Sequence, residues 1–109
     1  MTIMPSKPPT VFPQEQRLLS ALGERLRLAR LRRKLSASTV ALRAGISRTT
    51  LYNAECGDAR LTLGSYLRIL VALGLEGDLA TLAGDDKVGR QLQDLALEPA
   101  PRKKKAAAP

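Results

Sequence analysis

The chain has no histidine, no tryptophan and a single cysteine, Cys56, among its 109 residues. Without histidine and with one thiol there is no Cys/His cluster to hold zinc. No internal disulfide can form, and a lone cysteine fits a reducing cytoplasm. No glycine-rich phosphate loop is present. Asp85 and Asp86 are neighbours in sequence and read as a charged loop, not as a separated acid and base. These absences leave no candidate catalytic residue, no metal ligands and no cofactor, and argue against an enzyme. No stretch approaches the ~18 uncharged apolar residues of a membrane span, and the N-terminus lacks the apolar run of a signal peptide. No run alternates at period two, so no substantial sheet is expected. No repeat of solenoid length is visible.

What the chain does have is leucine and positive charge. Net charge is +8 and the pI is near 10.4, which points to an anionic partner: nucleic acid, acidic lipid or acidic protein. The charge is uneven. Residues 14–34 carry seven Lys/Arg against two Glu, residues 76–98 carry six Asp/Glu against two basic residues, and RKKK at 102–105 is basic again. A basic end and an acidic end give a molecule a preferred way to face a polyanion. All seven prolines fall in residues 1–13 and 99–109. Both segments read as flexible arms, the second a disordered basic tail. Between them, 14–84 reads as one small domain and 85–98 as an extension with a short helix.

The fold class expected is all-α, a compact five-helix domain with flexible arms at both ends. Helix one covers 14–34, with Leu18, Leu22, Leu26 and Ala29 as its inward stripe. Helix two is short, capped by Ser36 or Ser38, with Val40 and Ala41 inward and Gly45 as its end. Helix three follows a cap at Ser47. Thr62 caps helix four, 63–73, with Leu63, Tyr66 or Leu67, Leu70 and Leu73 inward. Helix five, 76–83, carries Leu79 and Leu82, and residues 88–95 form a last turn or two. The stripe Leu75, Leu79, Leu82 suits either a core or a dimer face. Cys56 reads as a small packing residue.

Residues 37–56 form a unit. Small Ala41 stands where a second helix must cross closely. Gly45 supplies the positive φ of a sharp turn, and Ile46, Leu51 and Ala54 fill the angle between two short helices. This is the spacing of a helix-turn-helix. The second helix, opened by SRTTLYN at Ser47–Asn53, has an outer surface of hydrogen-bond donors with no acid before Glu55. A helix that places its N-terminus at the DNA major groove needs such a surface, and a capped, positive helix N-terminus favours phosphate. The competing interpretation of 37–56 is a helical hairpin in an ordinary bundle. For Arg48 and Asn53 it is a solvated surface, and for RKKK a solvated tail.

The stretch LGERLRLARLRRKLSASTVALRAGISRTTLYNAECGDARLTLGSYLRILVALGL, residues 22–75, resembles the λ-repressor/Cro-type helix-turn-helix family, also called XRE-like. The continuation EGDLATLAGDDKVGRQLQDL resembles the narrower HipB-type antitoxins, often paired with a HipA-type kinase toxin. The resemblance implies a sequence-specific DNA-binding regulator, a repressor, cytoplasmic and nucleoid-associated, that binds a palindromic double-stranded operator as a homodimer. It implies base reading by Arg48, Thr49 and Asn53. Arg48 can fork onto guanine, and Asn53 can pair with adenine. It implies DNA-backbone contacts from Ser36, Ser38, Ser47, Thr50, Tyr52 and Arg60. It also implies a structural ion pair between Arg30 and Glu55, and Arg30 falls near the inward stripe, where a lone charge is costly. One departure is Ala37, where the family often carries a Gln that contacts DNA. Three rivals remain at this level: a stand-alone repressor of the same type with no toxin, a module whose main task is to hold a toxin inactive, and a non-specific basic binder.

Overall fold

Six α-helices form among residues 10–95, the part of the chain that the computed structural model describes. They are α1 (Pro13–Arg32), α2 (Ala37–Ala44), α3 (Arg48–Glu55), α4 (Leu63–Leu73), α5 (Gly77–Ala80) and α6 (Lys87–Asp94), and no strand occurs among the described residues. Most of the expected N-terminal arm, the end of the 85–98 extension and the basic tail at 99–109 lie outside the described residues.

Each helix has a local reason to start and stop. Pro13 is the first residue of α1, where a missing N–H costs nothing. The Phe12 N–H donates to Glu15 Oε1 at 2.9 Å. α1 ends two residues before the expected Lys34, which sits at φ +54. Ser36, and not Ser38, caps α2, while Ser47 and Thr62 cap α3 and α4 by accepting the N–H three residues on. Gly45 and Gly74 close α2 and α4 at φ +70 and +73. At both ends the following residue's N–H reaches back five positions, Ile46 to Ala41 at 3.0 Å and Leu75 to Leu70 at 2.8 Å.

The described residues divide into two compact units, the first running to Leu79 and the second starting at Ala80. In the first, α1 packs on α3 and α4, and α2 packs on α3 and α4. Ten apolar residues form the core: Leu26 and Ala29 of α1, Val40, Ala41 and Ala44 of α2, Leu51 and Ala54 of α3, and Tyr66, Ile69 and Leu73 of α4. Four of the ten are alanine, so the backbones come close where these short helices cross.

Several expected inward positions turn out otherwise. Leu18 is 72% exposed. Successive steps of four residues drift ~40° each around a helix, and Leu18 lies past the edge of the buried face. There α1 meets the turn after α3 through Leu19 and Ser20 instead. In α4, Leu63 is exposed and Ile69 is fully buried, with Tyr66 the inward member of the Tyr66/Leu67 pair. Cys56 is exposed at the C-terminal cap of α3 and does not pack inside. α5 is one turn, shorter than the expected 76–83. Ala83 at φ +60 breaks the helical path, and Leu82 is exposed while Leu79 is half-buried.

In the second unit, the Asp86 carboxylate caps α6 by accepting the Gly89 N–H at 2.9 Å, and Arg90 pairs with Asp85 at 2.6 Å. No residue of α6 is buried, and Val88, Leu92 and Leu95 stand exposed.

Candidate nucleic-acid interface

Ala44 and Arg48 bound a three-residue turn, Gly45-Ile46-Ser47, between α2 and α3. Its shape comes from Gly45 in the left-handed region, half-buried Ile46 and capping Ser47. The α2 end of the turn is fixed by α4. Arg68 donates from Nε to the Ala44 carbonyl at 3.0 Å and from Nη2 to the Arg43 carbonyl at 3.3 Å. A cation on the last carbonyls of a helix satisfies orphan acceptors and complements the helix dipole.

The C-terminal end of α3 is fastened to α1 in three places. Gly23 of α1 faces the carbonyls of Ala54 and Glu55 so closely that a β-carbon there would stand 2.6 and 2.5 Å from them. Gln16 donates from Nε2 to the Gly57 carbonyl at 2.9 Å. Arg30 donates from Nε and Nη2 to the two Glu55 carboxylate oxygens at 2.8 and 3.1 Å, and from Nη1 to the Leu35 carbonyl at 3.2 Å. The Arg30 and Glu55 side chains are only 13% and 9% exposed. Donating to the Glu55 carboxylate raises the Arg30 pKa against the opposing effect of burial. Glu55 is the one acid between Ser47 and Gly57, so its inward pairing leaves the outer face of α3 without a negative side chain.

That outer face carries two rows at helical spacing, Arg48–Tyr52–Cys56 and Thr49–Asn53. Arg48, Thr49, Tyr52 and Cys56 are exposed and Asn53 is half-buried. The hydrogen bond with the Cys56 thiol raises the Tyr52 phenol pKa. Ser47 accepts the Thr50 N–H at 3.0 Å and donates to Thr50 Oγ1 at 2.9 Å, so both hydroxyls already have a partner. Ser36 likewise bonds Thr39, while Ser38 is exposed on the first turn of α2. Arg60, after α3, is engaged by Asp58: Nε to Oδ1 at 3.1 Å and Nη2 to Oδ2 at 3.0 Å. Among the described residues, no group of His, Cys, Asp and Glu could hold a metal ion, and no helix is long and apolar enough to cross a membrane.

Residues 21–83, more than half of the chain, match the model of a helix-turn-helix domain family. The chain belongs to that helix-turn-helix family. Its domain is that of a DNA-binding regulator. A search of curated proteins gives no match.

Sequence reasoning passed over several residues of this helix-turn-helix frame: Gln16, Gly23, Gly57, Asp58 and Arg68. Gln16 and Arg68 act through carbonyls far along the chain, Gly23 and Gly57 through the absence of a β-carbon, and Asp58 through the guanidinium of Arg60 two residues on. Gly57 carried the one usable signal, a glycine just past a helix end.

Proposed function

We propose that the protein is a sequence-specific DNA-binding transcriptional regulator, a repressor, that seats α3 in the major groove. The observation that carries this reading is the outer face of α3. It presents Arg48, Thr49 and Asn53 with no unpaired acid, while its far end is clamped to α1 through Gly23, Gln16 and Arg30. A reading helix must be rigidly aimed, because base-edge hydrogen bonds tolerate little misplacement. Arg48, Thr49 and Asn53 read bases. Ser36, Ser38, Ser47, Thr50, Tyr52 and Arg60 meet the DNA backbone, and the capped N-termini of α2 and α3 favour phosphates. With one such unit per chain, a homodimer reads two half-sites of a palindrome about one helical turn, ~34 Å, apart.

The test is a fluorescence-anisotropy titration with duplex DNA from upstream of the gene and with scrambled DNA. Wild type prefers the upstream sequence by about a hundredfold, ~2.7 kcal/mol, and Arg48→Ala removes most of that preference. Equal binding to both duplexes, unchanged by Arg48→Ala, refutes the groove model and favours a non-specific basic binder.

A narrower reading is that the regulator is the antitoxin of a kinase-type toxin of the HipA class. The exposed apolar row of Val88 and Leu92 on α6 and Leu95 at its C-terminal cap favours it, since an amphipathic helix with one bare face suits a protein partner. Removal of 76–109 then leaves the preference for operator DNA intact and frees a co-expressed toxin. A co-expressed toxin that the full chain does not restrain excludes this reading and leaves a stand-alone repressor.

A further inference from the structure

The loop between α3 and α4 holds an arginine in an unusual amount of scaffolding for a surface residue. Asp58 is anchored on both sides of its peptide unit. Its N–H donates to the Asn53 carbonyl at 3.0 Å, and its carbonyl accepts the hydroxyl of buried Tyr66 at 2.9 Å. Its carboxylate then takes the Arg60 N–H at 2.9 Å and the Arg60 guanidinium through Nε and Nη2. The carboxylate lies beneath, 14% exposed, while the Arg60 side chain stays 68% exposed above it.

A guanidinium has five N–H donors. The fork onto Asp58 uses the Nε–H and one hydrogen of Nη2. Nη1 and the second hydrogen of Nη2 form a further planar edge, of the kind that matches two oxygens of a phosphate. A flexible surface arginine must order its long side chain when it binds, and a pre-oriented one has less to lose.

We propose that Asp58 is a positioning residue for phosphate recognition: it grips one edge of Arg60 and presents the other to the DNA backbone. This rests on the reading that α3 and the loop after it face DNA. The contact carries no base information; it fixes where the loop sits on the duplex.

The test uses the full chain and a short duplex of scrambled sequence, titrated at several salt concentrations with wild type, Asp58→Asn, Arg60→Ala, Arg60→Lys and the Asn/Ala double variant. Asparagine keeps an acceptor for the Arg60 backbone N–H and removes the charge. Arg60→Ala lowers the slope of log affinity against log salt by about 0.9, one phosphate contact. Asp58→Asn weakens binding about fivefold in the wild-type background, and not at all when Arg60 is already alanine. Arg60→Lys, which keeps the charge and loses the planar fork, binds no better than Arg60→Ala. Five outcomes overturn the proposal. Tighter binding by Asp58→Asn with a steeper slope means that the carboxylate competes with phosphate. An equal loss in both backgrounds means that Asp58 only shapes the loop. Wild-type affinity in Arg60→Lys means that orientation is irrelevant. Loss of the upstream preference in Arg48→Ala, with no effect of Arg60→Ala on affinity or salt slope, leaves the groove reading standing and removes this one. A wild type that fails to bind DNA removes both.

Discussion

A methyl group added at residue 23 or 57 would collide with backbone. At Gly23 it would stand 2.5 Å from the Glu55 carbonyl oxygen, and at Gly57 2.5 Å from the Ser20 nitrogen. Gly57 also has φ +78, a region that side chains with a β-carbon disfavour. Neither contact can be relieved by rotating a side chain, so α1 and α3 would have to move apart. Gly23→Ala should cost about 1–3 kcal/mol, even though alanine is the better helix former. Gly57→Ala should cost more. Urea denaturation monitored by circular dichroism measures both, and a Gly23→Ala chain as stable as wild type would show that the two helices can separate freely. Arg30→Ala leaves Glu55 as a carboxylate only 9% exposed without its partner, for a loss of about 2–4 kcal/mol. Asp58 gives a pH signature. Hydrogen bonds from Arg60 hold its carboxyl below the ordinary value of 3.8. A depressed carboxyl pKa stabilises the fold above the ordinary value, and the contribution is lost as pH falls through the lower, folded-state value. The stability gap between wild type and Asp58→Asn should therefore narrow as pH falls below about 3.8 and close below the folded-state value; a gap that does not narrow has another origin. None of these glycine contacts was legible in the sequence, because nothing in the pattern around Gly23 says what faces it.

Helix ends were legible and helix faces only partly so. A cap is a local event, one hydroxyl and one N–H three residues on, and Ser47, Thr62, Gly45 and Gly74 act where their neighbours place them. The face of α4 is set by what packs on it. Its sequence, LGSYLRILVAL, is apolar nearly all round, so periodicity does not separate buried Ile69 from exposed Leu63. The contrast gives a measurement. Ile69→Ala should cost about 2–5 kcal/mol, and Leu63→Ala less than about 0.5 kcal/mol. Similar losses at both sites would mean that α4 is rotated about its axis. Ser47→Ala should cost about 1 kcal/mol by removing the cap of α3. It should also weaken DNA binding more than that stability loss explains, since the frayed turn carries Arg48 and Thr49. Binding unchanged at full folding would place the reading elsewhere.

At the scale of the whole molecule, every core residue lies between Leu26 and Leu73, and the family match ends at residue 83. The legible part of the sequence, 37–56 with its flanking helices, is the part whose spacing is imposed by two helices crossing at a tight turn. The segment after it was less legible because α5 and α6 bury no residue, leaving no packing pattern to write into the sequence. A chain ending at residue 83 should therefore unfold with the wild-type free energy to within about 0.5 kcal/mol. The removed segment holds four acidic and six basic residues, RKKK among them, so the net charge of +8 falls by two. Phosphate neutralisation by those basic residues is blind to base sequence. Affinity for upstream and scrambled duplexes should then drop by the same factor at low salt, and the ratio between them, which we propose is set by Arg48, Thr49 and Asn53, should stay as it was. A ratio that collapses on truncation would mean that the selectivity comes from the second unit, through dimer assembly or direct contact, and that α3 alone does not read the site.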